Sequence, residues 1–560
     1  MKTNIIFLST LIIIAGCSKT SSVESVIVAP PVVRNFSTTR VEIDNVVYNN
    51  TVQKGVQVLP AIKIKFSEPI SQSSVGTALQ LTDNAGNIVG NSFSLQNNDS
   101  TILVQPTLSL QYLSKYRLTV TTLIKSASGG NFISPISVSF NTKIDSSRKF
   151  AAISDNALLD LVQQQTLKYF YDFGHPVSGL ARERNTSGDL VTSGGSGFGI
   201  MAMITGVSRN FITKPQGFSR IQTMVGFLKN TAQTFHGAYP HWLNGVTGAV
   251  IPFSPNDNGA DLVETAFLSE GLLCARQYFN GTDASETALR ADINFIINRI
   301  EWDWFRQGSQ NVLTWHWSPN LGFVINQQIK GWNETLMTYV LAKSSSTHSI
   351  PTSVYTNGWA SNGTAPFING NTYFGFQLPL GPNLGGPLFF EHYSFLGINP
   401  TGLTDVYANY TTQTRNHTLI NYNYCKSNPL NYYGYSDSCW GLTASDIPNG
   451  GYTASSPTND VGVIAPTAAL SSIPYTPVES IKALKFYYYV LGDKIWKQYG
   501  FVDAFKLDDP WFADSFLAID QGPIIVNIEN YRSGLIWNLF TSCPEVKFAM
   551  QSLGFSAPYL

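Results

Sequence analysis

Charge is scarce in this chain. Asp, Glu, Lys and Arg together make up 13% of its 560 residues and nearly cancel, leaving a formal net charge of −1. No basic face is available to neutralise a phosphate backbone, which argues against nucleic acid as a partner. Cysteine is rarer still: the five residues Cys17, Cys274, Cys425, Cys439 and Cys543 are widely spaced, with no Cys-x-x-Cys pair, so a zinc site has no support. Neither a metal nor a cofactor is expected; a calcium reading of Asn256, Asp257 and Asp261 lacks a recognisable ligand loop. The chain also lacks internal apolar runs of membrane-spanning length and any fixed repeat period. What it has is aromatic: Trp, Tyr and Phe reach 13%. In an exported, weakly charged protein, such rings either build sugar-stacking surfaces or fill the core.

Export is read from the first residues. Lys2 is followed by an apolar stretch through Ile14 and then Ala15-Gly16-Cys17, a charged start, a short greasy core and a small-residue cleavage site. The ending resembles a bacterial lipobox, which implies a signal peptide over residues 1–16 and lipid on Cys17. The expected location is the cell envelope, held at a membrane by that lipid only. Ser18-Lys19-Thr20-Ser21-Ser22 has no acidic stretch and leaves periplasm and outer membrane surface both open.

Residues 17–38 read as a tether rich in Ser, Val and Pro. Over 39–145, short alternating runs such as Ile62-Lys63-Ile64-Lys65-Phe66 and Tyr116-Arg117-Leu118-Thr119-Val120 are separated by Asn, Asp, Gly and Pro, the pattern of a small all-β sandwich. Lys65-Phe66-Ser67-Glu68-Pro69-Ile70 resembles bacterial Ig-like domains. From 153 to 560 the period becomes helical: Leu159, Val162, Thr166, Tyr169 and Phe173 share one face of a helix that Ser154 can cap. Further helices are expected at 218–234, 261–278, 285–305, 334–344, 478–491 and 523–540. The loops between them are long, which in a compact domain marks function. Roughly a dozen helices over this length suit paired helices in a closed (α/α)6 barrel.

Several segments of this helical region resemble one known family: Gly179-Leu180-Ala181-Arg182-Glu183-Arg184, Thr192-Ser193-Gly194-Gly195-Ser196-Gly197-Phe198-Gly199, Pro240-His241-Trp242, Asp261-Leu262-Val263-Glu264, Trp332-Asn333-Glu334 and Asp520-Gln521-Gly522-Pro523. Their joint presence in this order is similar to the glucoamylase-like domain of glycoside hydrolase family 144. The resemblance implies an (α/α)6 barrel that hydrolyses β-1,2-glucan or sophoro-oligosaccharides with inversion at the anomeric carbon. Two alternatives stay open, a hydrolase of another β-glucan and a glycan-binding lipoprotein without catalysis. A monomer is expected.

Inversion needs one protonated carboxyl for the departing oxygen and one carboxylate to activate water on the opposite face of the sugar. By the family pattern Glu334 is the general acid and Asp520 the general base. Each also has a plain structural reading, an anion opening a helix or a cap. A helix field would lower the Glu334 pKa, so an acid role requires apolar burial or nearby negative charge. Asp257, Asp261 and Glu264 are assigned as further active-site carboxylates or, equally, as an acidic capping motif. His241, Trp242, Trp317, Trp332, Arg182 and Trp440 are the substrate-binding candidates, each with a core or wall role as its alternative. Cys425 and Cys439 bracket a loop that a disulfide could close. Glu391 stands where the family pattern has a small residue, a change in the cleft or on its rim.

Overall fold

A computed structural model describes residues 34–560. Cys17, the signal peptide and most of the tether lie outside the described residues.

The N-terminal region folds as two main sheets and a parallel pair, Asn35–Phe36 on Asn131–Phe132, around one core. Five strands run in the order Val46–Val47, Thr38–Ile43, Ile62–Phe66, Thr101–Pro106, Asn91–Gln96. Four more run Gln53–Val56, Ile136–Thr142, Lys115–Val120, Leu79–Asp83. Within both sheets every pairing is antiparallel except Gln53–Val56 on Ile136–Thr142. The period of two explains the geometry: Ile62, Ile64 and Phe66 turn into the core, while Lys63 and Lys65 face outward. A short helix, α1 (Gln72–Ala78), leads into the strand at Leu79.

The rest is helical. The first four helices are α2 (Asp155–Tyr171), α3 (Ser193–Ser208), α4 (Lys214–Asn230) and α5 (Leu262–Tyr278). Then come α6 (Ala284–Asn298), α7 (Leu336–Ser344), α8 (Phe389–Ser394) and α9 (Tyr410–Ser427). The last are α10 (Pro466–Leu470), α11 (Pro477–Tyr489), α12 (Gly492–Ile495), α13 (Ala518–Ser533), α14 (Leu535–Thr541) and α15 (Pro544–Ser552). Ser154 caps α2 as expected, its side chain accepting from Ala157 N, and Leu159, Val162, Thr166 and Tyr169 are buried along it. Phe173 lies beyond the helix end.

Four expected helices differ in extent. The one over 218–234 runs four residues earlier at both ends, Lys214–Asn230, because Thr213 forms a capping box with Gln216. The one over 285–305 stops at Asn298 and gives way to a 3-10 turn, Trp302–Arg306. The one over 334–344 starts at Leu336, so Glu334 sits in the preceding turn rather than in the helix. The one over 523–540 begins five residues earlier, takes Pro523 inside it, and is cut in two by Gly534 at φ +68°.

The Gly-rich segment after Thr192 has no helical propensity to speak of, yet it forms α3, buried from Ser193 to Val207. Its glycines let three helices approach backbone to backbone. A methyl on Gly197 would lie 2.1 Å from Phe267 O of α5, and one on Gly271 of α5 would lie 2.3 Å from Gly197 O. One on Gly195 would press on the Ala518 side chain of α13 at 2.7 Å. Tertiary packing overrides local preference here. It also brings the starts of α5 and α13, the two helices that carry the candidate carboxylates, against the start of α3.

The two regions meet at the hairpin Phe505–Lys506/Trp511–Phe512. Asn141 Nδ2 donates to Asp508 O (2.9 Å), Lys54 pairs with Asp508, and Lys115 pairs with Asp509 (2.5 Å). The Tyr433 hydroxyl accepts from Ile144 N at the junction (3.1 Å).

Candidate active site

Asp261 is the N-cap of α5, but its carboxylate does more than cap. Oδ1 accepts from Val263 N (3.0 Å), Glu264 N (2.9 Å) and the Trp315 indole (2.9 Å). Oδ2 meets His241 Nδ1 at 3.0 Å. Antiparallel pairing of Ala260-Asp261 with His316-Trp317 sets His316 alongside, 3.7 Å from Asp261 and 3.6 Å from Asp257. Glu264 does not reach back to complete a capping box; its Oε2 accepts from Gly194 N (2.9 Å) and Thr192 Oγ1 (3.2 Å) at the head of α3. A methyl on Gly194 would lie 2.4 Å from that oxygen, so glycine is required there.

The electrostatics are those of a compensated cluster. Burial opposes charge on His241, yet Glu264, Asp261 and Asp257 outweigh it and hold its pKa up to about 9. Burial would raise Asp261, but the His241 hydrogen bond and the His316 charge win and keep it below the usual carboxylate range. Glu264 and Asp257 are both raised, first by burial, then by Asp261. His241, Asp257 and Asp261 offer donor atoms within 4.8 Å of one another, a spacing that could hold a cation. The His241 imidazolium already supplies a positive charge at that point.

Glu334 sits in a turn built by Asn333, whose Oδ1 accepts from Thr335 N (3.0 Å) and Thr335 Oγ1 (2.6 Å). The turn is anchored from α8: Ser394 Oγ donates to Asn333 O (3.0 Å), and Glu391 Oε1 accepts from the Trp332 indole (3.0 Å). Glu334 itself is half-buried. Burial, with the charges of Asp261 and Glu264 behind it, pushes its carboxyl up to about 7 against the pull of its own backbone. These are the two conditions an acid role demands.

Asp520 lies in the first turn of α13, 2% exposed. Its carboxyl is in hydrogen-bond contact with that of Asp503, which sequence reasoning missed; burial and then the Asp503 charge raise Asp520, while burial and the Asp446 charge raise Asp503 to about 7. The pair therefore shares a proton. Asp503 Oδ2 also accepts from Asp446 N (2.7 Å), and Arg184 bridges Asp446 (3.2 Å) and Glu183 (2.9 Å). A cavity of about 360 Å³ opens here, walled by Arg184, Asp446, Ile447, Trp511 and Phe512. Its aromatic wall is the hairpin pinned by the Ig-like region.

Tyr393 joins the two halves. Its buried hydroxyl feels the charges of Asp520, Glu264 and Glu334 together, and its ring packs on Phe198 and Phe267 at 5.4 and 5.7 Å. No motif signal marks it.

Among the proposed sugar contacts, Trp242 is half-buried, with an indole N–H sealed from solvent and unpartnered, and it lies 4.7 Å from the exposed Phe253 ring. Trp317 is half-buried on the strand beside Asp261. Five expectations are corrected. Trp332, 3% exposed, and Trp440, fully buried with its indole toward Glu479 O, are core residues. Arg182 spends its guanidinium on Gly188 O and Phe173 O and covers the Phe173 ring, bracing its own loop. Glu391 is on no rim: it is fully buried and accepts from Trp332, Gln413 and His417. Cys425 and Cys439 are free buried thiols, like Cys274 and Cys543.

Comparison with known proteins places both regions. The family described as "Putative glucoamylase" matches residues 326–544, and a bacterial Ig-like domain family matches 37–142. A crystal structure of a Bacteroides uniformis protein under that same glucoamylase description is 54% identical, with TM-score 0.72 over 73% of this chain and 100% of that one. The endo-β-1,2-glucanase of Chitinophaga pinensis, solved with sophorotriose and glucose, is 48% identical, with TM-score 0.71 over 73% and 100%. The exo β-1,2-glucooligosaccharide sophorohydrolase (non-reducing end) of Parabacteroides distasonis is 44% identical over 422 residues, which are 72% of this chain and 58% of that protein. The chain thus spans 58% of that curated relative's length. With two solved relatives matched over their whole length, the chain belongs to the glucoamylase-like proteins of the glycoside hydrolase family 144 type and carries a bacterial Ig-like domain ahead of that unit.

Proposed function

We propose that the chain is an inverting glycoside hydrolase acting on β-1,2-glucan or sophoro-oligosaccharides, built on an (α/α)6 barrel whose inner helices start at the carboxylates described above. The observation that carries this reading is Glu334, set beside Asp261 and Glu264, where burial and then those two charges push its carboxyl up to about 7 and so leave it the proton a general acid needs. Glu334 donates that proton to the glycosidic oxygen as the bond to the anomeric carbon breaks. A water on the opposite face forms the new bond and gives its proton to the Asp520–Asp503 pair: Asp520, the base, takes the water's proton as the one it shares passes to the ionised Asp503. His241, Trp242 and Trp317 line the sugar's approach, and the Asp261–His241 pair fixes the field around Glu334. The substrate class follows the relatives' activities, which favour β-1,2 linkages.

Incubation with β-1,2-glucan, sophoro-oligosaccharides and β-1,3- and β-1,4-glucans tests the reading. Reducing ends from the β-1,2 substrates alone, released as the α-anomer by proton NMR, are expected. Tight binding without products overturns the enzyme reading, and release of the β-anomer overturns inversion.

Glu264→Gln is expected to move the alkaline limb of the pH–rate profile toward lower pH. Removing a negative charge that helps hold the Glu334 proton lets it leave sooner. An unmoved limb would mean that burial and Asp261, without Glu264, set Glu334.

Among the described residues no helix is long and apolar enough to cross a membrane. In this reading Cys17, acylated, holds the enzyme at the envelope, on the periplasmic or the outer face.

A further inference from the structure

A second aromatic surface lies outside the carboxylate cleft. The loop after α6 carries the 3-10 turn Trp302–Arg306, in which Trp302 and Phe305 are buried while Trp304 between them is 42% exposed. A large ring left in solvent costs hydrophobic stabilisation unless something covers it. This ring is nonetheless held rigidly. Its inner face stacks on His236 with centroids 3.9 Å apart and planes within 12°. His236 Nδ1 is fixed by Glu301 Oε2 at 2.9 Å, and on the other side of the turn His348 Nδ1 holds Asp303 Oδ1 at 2.9 Å. Each carboxylate flanking Trp304 is thus tied by a histidine through one oxygen, with 39% and 49% of the respective side chains exposed.

Trp304 borders a cavity of about 600 Å³ that also takes in Glu301, Asp303, Arg306, Gln307, Phe323 and His348. Two acids are set against one arginine and a histidine, so neither a polyanion nor a polycation is favoured. An aromatic platform ringed by hydrogen-bonding groups without a dominant charge suits the faces and hydroxyls of a neutral sugar. Position argues for the same occupant. Trp317, on the strand paired with Asp261, meets His236 edge to face at 4.8 Å, so one imidazole links the cleft's aromatic wall to the back of Trp304.

We infer that Trp304 and its cavity form a secondary glucan-binding site, which holds a further stretch of the same neutral polysaccharide the cleft cleaves. The inference rests on the proposed glucanase reading for its polymer, and it adds a binding function outside the reacting carboxylates. In this inference short oligosaccharides occupy the cleft alone, whereas polymer engages both surfaces and gains from their linkage.

The test uses the full chain. Retardation in gels containing β-1,2-glucan is measured for Glu334→Gln, which leaves the polymer intact, with and without Trp304→Ala. Hydrolysis of sophorotriose is measured for Trp304→Ala alone. Retention roughly tenfold weaker is expected, with kcat/KM on sophorotriose unchanged. Trp304→Phe, which keeps a ring over His236, is expected to restore much of the retention; should the alanine variant fail to fold, Trp304→Gln serves in its place, with the same loss expected. Unchanged retention overturns the site, and so does a parallel loss on sophorotriose, which would make Trp304 part of the cleft or of its framework. Gels containing β-1,3- or β-1,4-glucan separate this inference from the enzyme reading. Retention there that Trp304→Ala removes upholds a glucan site while overturning the β-1,2 assignment, and no retention in any glucan overturns the site.

Discussion

Glu334→Gln is expected to lower turnover by about 10²–10⁴-fold and, at the same time, to stabilise the protein above neutral pH. Both effects have one cause. Glutamine preserves the shape of the turn held by Asn333 and Ser394 but has no proton to give a leaving oxygen. The folded protein holds the Glu334 proton to about pH 7, whereas an unfolded glutamate releases it near its ordinary value of 4.5. Below that ordinary value both states are protonated and the residue costs nothing. As pH rises from there to 7 the folded state binds the extra proton, so stability falls; above 7 the loss is constant. For the full shift it is at most about 3 kcal/mol, and about 1–2 kcal/mol once the partial solvation of the side chain is allowed for. The variant is therefore expected to match the wild-type Tm near pH 4 and exceed it near pH 8. Equal Tm values at pH 8 would show that Glu334 is not held protonated, and rates close to wild type would remove it as the acid.

That trade of stability for a usable proton was only partly legible in the sequence. Periodicity and turn residues foretold the Ig-like strands, because a one-sided sheet writes its burial as strict alternation, as in Ile62-Lys63-Ile64-Lys65-Phe66. α3 was illegible as a helix: Ser193-Gly194-Gly195-Ser196-Gly197 has poor propensity, and the reason for it, contact with Phe267, Ala518 and Glu264, lies in three distant segments. Glu334, Asp520 and the Asp261 cluster were placed by motif resemblance, and their neighbourhood was not. Asp503 comes within reach of Asp520 only through folding and has no motif of its own. Tyr393 and Glu391 share one short helix, yet one faces the carboxylates and the other closes a buried network with His417. Aromatic exposure was the least readable property. Trp332 and Trp440 are core, whereas Trp304, flanked by ordinary loop residues, is open to solvent.

Asp520→Asn is expected to lower turnover by about 10²–10⁴-fold with oligosaccharide binding and folding retained, and its contrast with Asp503→Asn identifies the base. In the wild type both buried carboxyls are raised, Asp503 to about 7, so once Asp503 ionises the pair bears a single charge and keeps one proton. An asparagine at position 520 donates its amide N–H to Asp503, which then takes the ionised role and keeps its bond from Asp446 N. No buried group is left unpaired, so the fold survives, but the only carboxylate remaining is one position removed from the water. Asp520→Ala lacks that compensation, leaves Asp503 without its partner, and should cost a further 1–3 kcal/mol or so. The reverse substitution reads differently. With asparagine at 503, Asp520 alone carries the charge, its pKa falls because an N–H now donates to it, and the acid limb of the pH–rate profile shifts downward while turnover persists. Equal losses in Asp520→Asn and Asp503→Asn would mean that neither residue alone is the base and that proton transfer requires both carboxyls; an active Asp520→Asn beside an inactive Asp503→Asn would transfer the role to Asp503.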